Sequence, residues 1–73
     1  MMKKYNFLGL KCPIPVLKAH KILKTELNHN DFEFLSDDQS APKDFKDLCS
    51  NMNNLYLNVV EEKKFYRIFI KRF

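Results

Sequence analysis

Gly9-Leu10-Lys11-Cys12-Pro13-Ile14-Pro15 is the stretch where this chain changes its period. Before it, Tyr5 and Phe7 alternate with Lys4 and Asn6, a two-residue repeat that predicts a strand over residues 4–8 closed by Gly9. After it, Val16, His20, Leu23 and Leu27 recur at helical spacing, with Ala19 beside them and Leu17 and Ile22 on the flanks; this predicts a helix over residues 13–27. The prolines suit its start, because the first turn leaves amides unpaired anyway and proline's φ is already helical. Cys12 is therefore expected at or beside the N-cap, where the positive end of the helix dipole favours thiolate over thiol. Pro13 and Pro15 remove two amides from that turn, leaving Ile14, Val16 and the Lys11 charge to stabilise an anion.

Working outward, Asn28-His29-Asn30-Asp31 is turn chemistry that stops the helix. Residues 32–36 form an apolar run fit for the inside of a sheet, with Leu35 adding to it. Asp37-Asp38-Gln39 then makes a polar loop, Ser40 is the expected N-cap of a second helix, and Pro42 falls in its first turn. Phe45, Leu48, Cys49 and Met52 stand at i, i+3, i+4 and i+7 and give that helix one apolar face. Leu55, Leu57 and Val59 alternate with Tyr56, Asn58 and Val60, a strand over residues 55–60. After the charged turn Glu61-Glu62-Lys63-Lys64, Tyr66, Ile68 and Ile70 oppose Phe65, Arg67 and Phe69 in a last strand over residues 65–71. The order is βαβαββ. Burying all these stripes at once calls for an α+β two-layer sandwich, both helices packed on one face of a four-stranded sheet, as a single domain over residues 1–73.

The composition is that of a folded chain: 45% hydrophobic, 30% charged, with seven Phe and three Tyr. At 73 residues the core is thin, and a few large aromatics must supply most of the burial. The net charge of +4 biases encounters toward acidic partners without reaching the level of a nucleic-acid binder. Its distribution says more: Lys11, Lys18, Lys21 and Lys24 share their stretch with no acid, and Lys18, Lys21 and Lys24 form a basic stripe opposite the apolar face of helix 1. Met1-Met2-Lys3-Lys4 looks like the start of a signal peptide, but Asn6, Gly9 and Lys11 interrupt any apolar stretch behind it. The expectation is a cytoplasmic protein that does not engage a membrane, with Cys12 and Cys49 as free thiols.

The chemistry narrows to one thiol. A redox dithiol needs a second cysteine at Cys-x-x-Cys spacing, and position 15 is proline. A cysteine hydrolase needs a histidine base; His20 is expected on the packed side of helix 1 and His29 in the turn at its far end. Two Cys and two His at these spacings match no zinc pattern, and Asp37-Asp38 reads as a solvated loop rather than a metal pair, so no metal or cofactor is expected. Cys49 lies in the apolar stripe of helix 2 and reads as core. An exposed Cys12 without a base of its own is suited to carrying a group: a persulfide, a mixed disulfide or an acyl chain.

These residues resemble a known family. Gly9-Leu10-Lys11-Cys12-Pro13-Ile14-Pro15, then Asp37-Asp38, Asp44 and Cys49, then Tyr66-Arg67-Ile68-Phe69-Ile70-Lys71, look like the TusA/SirA-like sulfur carriers, from about Asn6 to Arg72. The Cys-Pro-x-Pro motif before an amphipathic helix is the specific part. The resemblance implies a small βαβαββ sandwich and a sulfurtransferase-type carrier. Its motif cysteine, here Cys12, takes sulfane sulfur from a cysteine desulfurase as a persulfide and passes it to a downstream acceptor protein. In TusA itself the route leads to 2-thiolation of tRNA wobble uridine, and relatives feed other sulfur pathways. Lys11, Pro13, Ile14, Pro15, Lys18 and Lys21 are the expected docking residues around Cys12, with lysines meeting an acidic rim on a partner, no direct nucleic-acid contact, and a monomeric carrier. The alternative from a different class is a small nucleic-acid-binding or regulatory module using the lysine stripe and the strand bearing Tyr66, Arg67, Lys71 and Arg72. The chain departs from the family at Asn6, Asn30 and Gln39, none of them in the cysteine motif.

Overall fold

The alternating and helical periods resolve into β1 (Met2–Asn6), α1 (Ile14–Thr25), β2 (Asp31–Ser36), α2 (Ala41–Asn51), β3 (Leu55–Glu61) and β4 (Tyr66–Arg72) in a computed structural model that describes residues 2–73. The sheet order is β1-β2-β4-β3. β1 runs parallel to β2 with Tyr5 opposite Phe34 and Asn6 opposite Leu35, and both other pairings are antiparallel. A parallel pair cannot be closed by a tight turn, so α1 is the crossover between β1 and β2. The sandwich expected from the sequence is the one observed.

Register puts Tyr5, Phe34, Ile68 and Val59 on one face of the sheet, together with Phe32, Ile70 and Leu57. That face carries the core. Phe32, Phe34, Ile68 and Ile70 are buried against Ala19 and Leu23 of α1 and against Ala41, Phe45 and Leu48 of α2. Phe34 is the hub: its ring lies 5.5 Å from Tyr5, 5.4 Å from Phe7 and 5.6 Å from Phe45, so one aromatic joins β1, β2 and α2.

Helix 1 turns inward the side its stripe indicates, with Leu23 and Ala19 buried and Val16 and Ile22 packed against the core. The buried line, however, runs through Pro15 and Ala19 rather than Leu27. Pro15, Ala19 and Leu23 are its buried residues, whereas Leu17 is 58% exposed and Leu27 70% exposed. The helix stops at Thr25, two residues short of the expected end, so Leu27 lies beyond it. Small side chains at the contact let the backbone sit close to the sheet, and the inward stripe follows from that approach. Strand 1 likewise begins earlier and ends earlier than its alternation indicates, with Phe7 buried just past its last residue.

The end of α1 is closed from a distance. The Arg72 guanidinium donates from Nη2 to the Leu23 carbonyl at 2.5 Å and from Nη1 to those of Glu26 and His29 at 3.3 and 3.2 Å. Its charge lies 5.6 Å from the centre of the Phe32 ring. A cation at the negative end of the helix dipole, satisfying carbonyls the helix leaves unpaired, is favourable on both counts. Replacing Arg72 by Ala should cost roughly 1.5–3 kcal/mol, the range for hydrogen bonds from a charged group. For a domain of this size that lowers Tm by about 4–8 °C per kcal/mol. Arg72→Lys keeps the charge but loses the fork and should fall between; a thermal melt equal to that of the parent chain for Arg72→Ala would remove the clamp from this account.

Candidate functional site

Because β1 and β2 are parallel, the loops that leave them emerge side by side at one edge of the sandwich. The Phe7 amide still donates to the Leu35 carbonyl at 2.9 Å, carrying the pairing one residue past β1. The next loop residues are held by side chains. The Asn6 carboxamide oxygen accepts from the Leu8 amide at 2.9 Å, and the Asp37 carboxylate accepts from the Gly9 amide at 3.2 Å. Gly9 has φ of +85°, a conformation other residues adopt only with strain. The Asp38 carboxylate accepts from the amide of Cys12, from the Ser40 amide at 3.0 Å and from the Ser40 hydroxyl at 3.0 Å. The Ser40 hydroxyl also lies 3.2 Å from the Asp44 carboxylate. The acidic loop thus fastens the backbone of the cysteine loop and leaves the Cys12 side chain exposed.

Pro13 is the N-cap of α1, so Cys12 stands just outside the helix, and the peptide bond between them is cis. The surroundings of the thiol differ from the expectation. The Ile14 amide is already spent, donating to the Lys11 carbonyl at 2.9 Å. Instead of being lowered by a helix end, the Cys12 thiol is held above its ordinary value. The Asp44 carboxylate beside it is the main cause, partly offset by the Ser40 hydroxyl, with Asp38 adding repulsion. Two prolines and one occupied amide leave that helix end little to offer an anion, so the carboxylates of Asp44 and Asp38 set the direction. Asp38 moves the opposite way: the Ser40 and Cys12 amides hold its carboxyl below its ordinary 3.8.

Of the residues expected around the thiol, Lys11, Pro13, Ile14, Lys18 and Lys21 are exposed, whereas Pro15 is buried. Ile14 and Leu17 are exposed apolar side chains on the same solvent side of α1 as Lys18, Lys21 and Lys24, so the stripe is mixed rather than purely basic. His20 is half-buried along α1 and His29 lies in the turn at its other end. Cys49 is half-buried against the core, and burial pushes its thiol up to about 11. Among the described residues no three His, Cys, Asp or Glu side chains converge as a metal site, and no helix is long and apolar enough to cross a membrane.

The strand named for the alternative reading is divided between two faces. Arg72 is turned to the helix side and clamps α1, and Tyr66 shares that side with Ile68. Arg67 faces the open side but is engaged by Glu33 at 2.9 Å and Glu62 at 3.0 Å. That leaves Lys71, too little for a phosphate-reading stripe.

Asp38, Ser40 and Asp44 lie in the loop and helix where sequence reading put them, but their link to the cysteine loop was not foreseen. Their signal was an acid pair directly after β2 and a serine four residues before an acid at a helix start, but it becomes meaningful only once β1 and β2 are known to be parallel neighbours.

The sequence pattern of the family described as sulfurtransferase TusA matches residues 3–72. Two proteins of Neisseria meningitidis, one from serogroup A and one from serogroup B, are each described as a candidate sulfur carrier. Each is 30% identical over 63 residues, covering 86% of this chain and 85% of its own. The crystal structure of a SirA-like protein from Desulfitobacterium hafniense matches with a TM-score of 0.79 at 23% identity, over 97% of this chain and 96% of that one. This last likeness is one of fold.

A carboxyl held low in the folded state contributes stability that is present above its unfolded value and is lost as pH falls through the folded one. The tie between Asp38 and the Cys12 amide should therefore release below about pH 4, the range set by the ordinary 3.8 and its downward shift. An amide proton spectrum should show the Cys12 resonance moving upfield through that titration. In Asp38→Asn the movement should vanish, with stability lower by roughly 1 kcal/mol because the exposed setting screens the charge. A Cys12 resonance that ignores acid in the parent chain would contradict the tie.

Proposed function

This chain belongs to the TusA family, and we propose that it works as a sulfur carrier that relays sulfane sulfur as a persulfide on Cys12. The observation that carries the reading is an exposed thiol whose backbone, not its sulfur, is fastened, through Gly9, Cys12 and the Asp37-Asp38 pair. A relay needs its sulfur accessible to two partners in turn, and a fixed backbone presents it in one place to both.

The proposed donor is a cysteine desulfurase and the acceptor a downstream sulfur-accepting protein, in a relay of the kind that supplies tRNA 2-thiouridine synthesis. The exchange balances without a cofactor. The Cys12 sulfur attacks the sulfane sulfur of a donor persulfide, R–S–S–H; a new S–S bond forms and the donor's S–S bond breaks. The donor thiolate leaves and takes up the proton that Cys12 gave, so no net oxidation occurs. Passing the sulfur on repeats the same exchange with Cys12 as the leaving thiol. The reading places the carrier in the cytoplasm as a monomer, where thiols stay reduced.

Docking is assigned to the end of α1 around Cys12. Ile14 and Leu17 supply exposed apolar area there, and Lys11, Lys18 and Lys21 ring it with positive charge. An acidic rim on the desulfurase speeds encounter, while exposed pairs add little lasting affinity, which suits a contact that must end.

Incubation with a cysteine desulfurase and cysteine should add the mass of sulfur to the intact chain, with Cys12→Ser abolishing it and Cys49→Ser leaving it. Equal loading of Cys12→Ser would defeat the proposal. Lys18→Glu combined with Lys21→Glu should slow loading through the association rate while thermal stability holds. The deficit should shrink as salt shortens the Debye length from about 10 Å at 0.1 M to about 3 Å at 1 M. Unchanged low-salt loading in the double variant would return these lysines to the solvated side of a helix.

A further inference from the structure

We infer that Leu8 is the apolar anchor on which the sulfur-donating partner seats, held out rigidly by the turn that precedes Cys12. The inference rests on the sulfur-carrier reading and names the side chain that holds the donor once charge has drawn it in. Phe7-Leu8-Gly9-Leu10 closes a tight turn in which the Leu10 amide donates to the Phe7 carbonyl at 3.1 Å. Gly9 has φ of +85° while Leu8 has no positive φ, so the turn is of type II with Leu8 at its first corner. Space does not demand the glycine, since a Cβ there would meet nothing within 4 Å; the backbone conformation does.

The turn is pinned along its length. Phe7 is buried, with its ring 5.4 Å from that of Phe34, which roots the turn in the core. The Leu8 amide donates to the Asn6 carboxamide at 2.9 Å and the Gly9 amide to the Asp37 carboxylate at 3.2 Å. The Cys12 amide donates to Asp38, the next residue of the same loop, so turn and cysteine keep a fixed relation to each other. The Leu8 side chain nevertheless stays 41% exposed. A partner that buries a leucine on so fixed a backbone pays little in lost conformational freedom. Ile14, 42% exposed and two residues beyond Cys12, extends the apolar area. Charge complementarity identifies the occupant. Lys11, Lys18 and Lys21 are exposed, so the donor that fits carries an apolar pocket for Leu8 bordered by carboxylates. The two contributions act at different stages: charge raises the association rate and fades with salt, whereas buried apolar area slows departure and is not screened.

Steady-state loading by a cysteine desulfurase, with this chain as the varied substrate, tests the anchor. Leu8→Ala should raise KM roughly tenfold with kcat unchanged, the signature of binding shared by ground and transition states. The deficit should persist at about 1 M salt, where that of Lys18→Glu with Lys21→Glu has shrunk. Leu8→Met keeps an apolar side chain of similar volume and should restore KM. Alkylation of Cys12 by iodoacetamide should run at one rate in the parent chain and Leu8→Ala. Equal KM in those two, or a deficit that vanishes in high salt, would overturn the anchor. Slower alkylation in Leu8→Ala would overturn it as well, because the turn would then be setting the cysteine rather than seating the donor. The affinity of the desulfurase for Cys12→Ser, with and without Leu8→Ala, reads the anchor apart from any transfer. It should weaken roughly tenfold with Leu8→Ala, the loss of one buried leucine, and equal affinities or no binding would overturn the proposal. Failure of the parent chain to gain sulfur while that difference in affinity holds would count against the persulfide reading alone.

Discussion

The candidate site of this protein depends on two strands running the same way. β1 and β2 pair in parallel, with Asn6 opposite Leu35, and so release their following loops at the same end of the sheet. Had they formed a hairpin, the cysteine loop and the acidic loop would lie at opposite ends. Parallel pairing costs a crossover helix, and that helix supplies the exposed face on which the lysines and Ile14 stand. Sites at the carboxyl ends of parallel strands recur in α/β folds for this reason: strand ends are rigid, and the loops beyond them can carry chemistry.

The same constraint explains the electrical character of the site. A cysteine before a helix, with lysine at its side, invites the expectation of a stabilised thiolate. The observed neighbours are carboxylates brought from residues 38 and 44, and they reverse the sign. The direction of the Cys12 shift is therefore set by Asp44 of α2 and Asp38 of the acidic loop rather than by the Cys-Pro-Ile-Pro motif by itself. Cys49 offers the contrast, since its thiol is raised by burial alone and has no charged partner among the causes.

Much of the architecture was legible in the sequence because period-two and period-3.6 stripes are local signals. Leu55, Leu57 and Val59 alternate as the strand requires, and Phe45, Leu48 and Cys49 turn the side of α2 that they should, with Met52 packed on the core just past its end. In helix 1 Leu23, Ala19, Val16 and Ile22 lie on the core side as the stripe indicates, and only its ends depart from it. Its buried residues are Leu23 together with Pro15 and Ala19, which hydrophobic counting underweights, while Leu17 on the flank and Leu27 beyond the helix point to water. Arg72 looked like part of a basic strand, yet its partners are carbonyls 43 to 49 positions earlier. The motif cysteine was identifiable from its prolines; that Asp38 holds its backbone, with Ser40 and Asp44 behind, was not, because contacts fixed by strand register leave no trace in local spacing.

The position of β4 has a consequence for how such a chain comes into being. It is the last strand in sequence but lies between β2 and β3, so β3 has no neighbour in the sheet until residues 66–72 exist. The Arg72 clamp on α1 waits for the same residues. A ribosome-bound chain stopped before β4 would expose Phe32 and Phe34 along an unpaired strand edge, the kind of surface that aggregates or recruits chaperones. The order of the sheet thus makes folding wait for residues 66–72, with long-range contacts and the slower kinetics that accompany them.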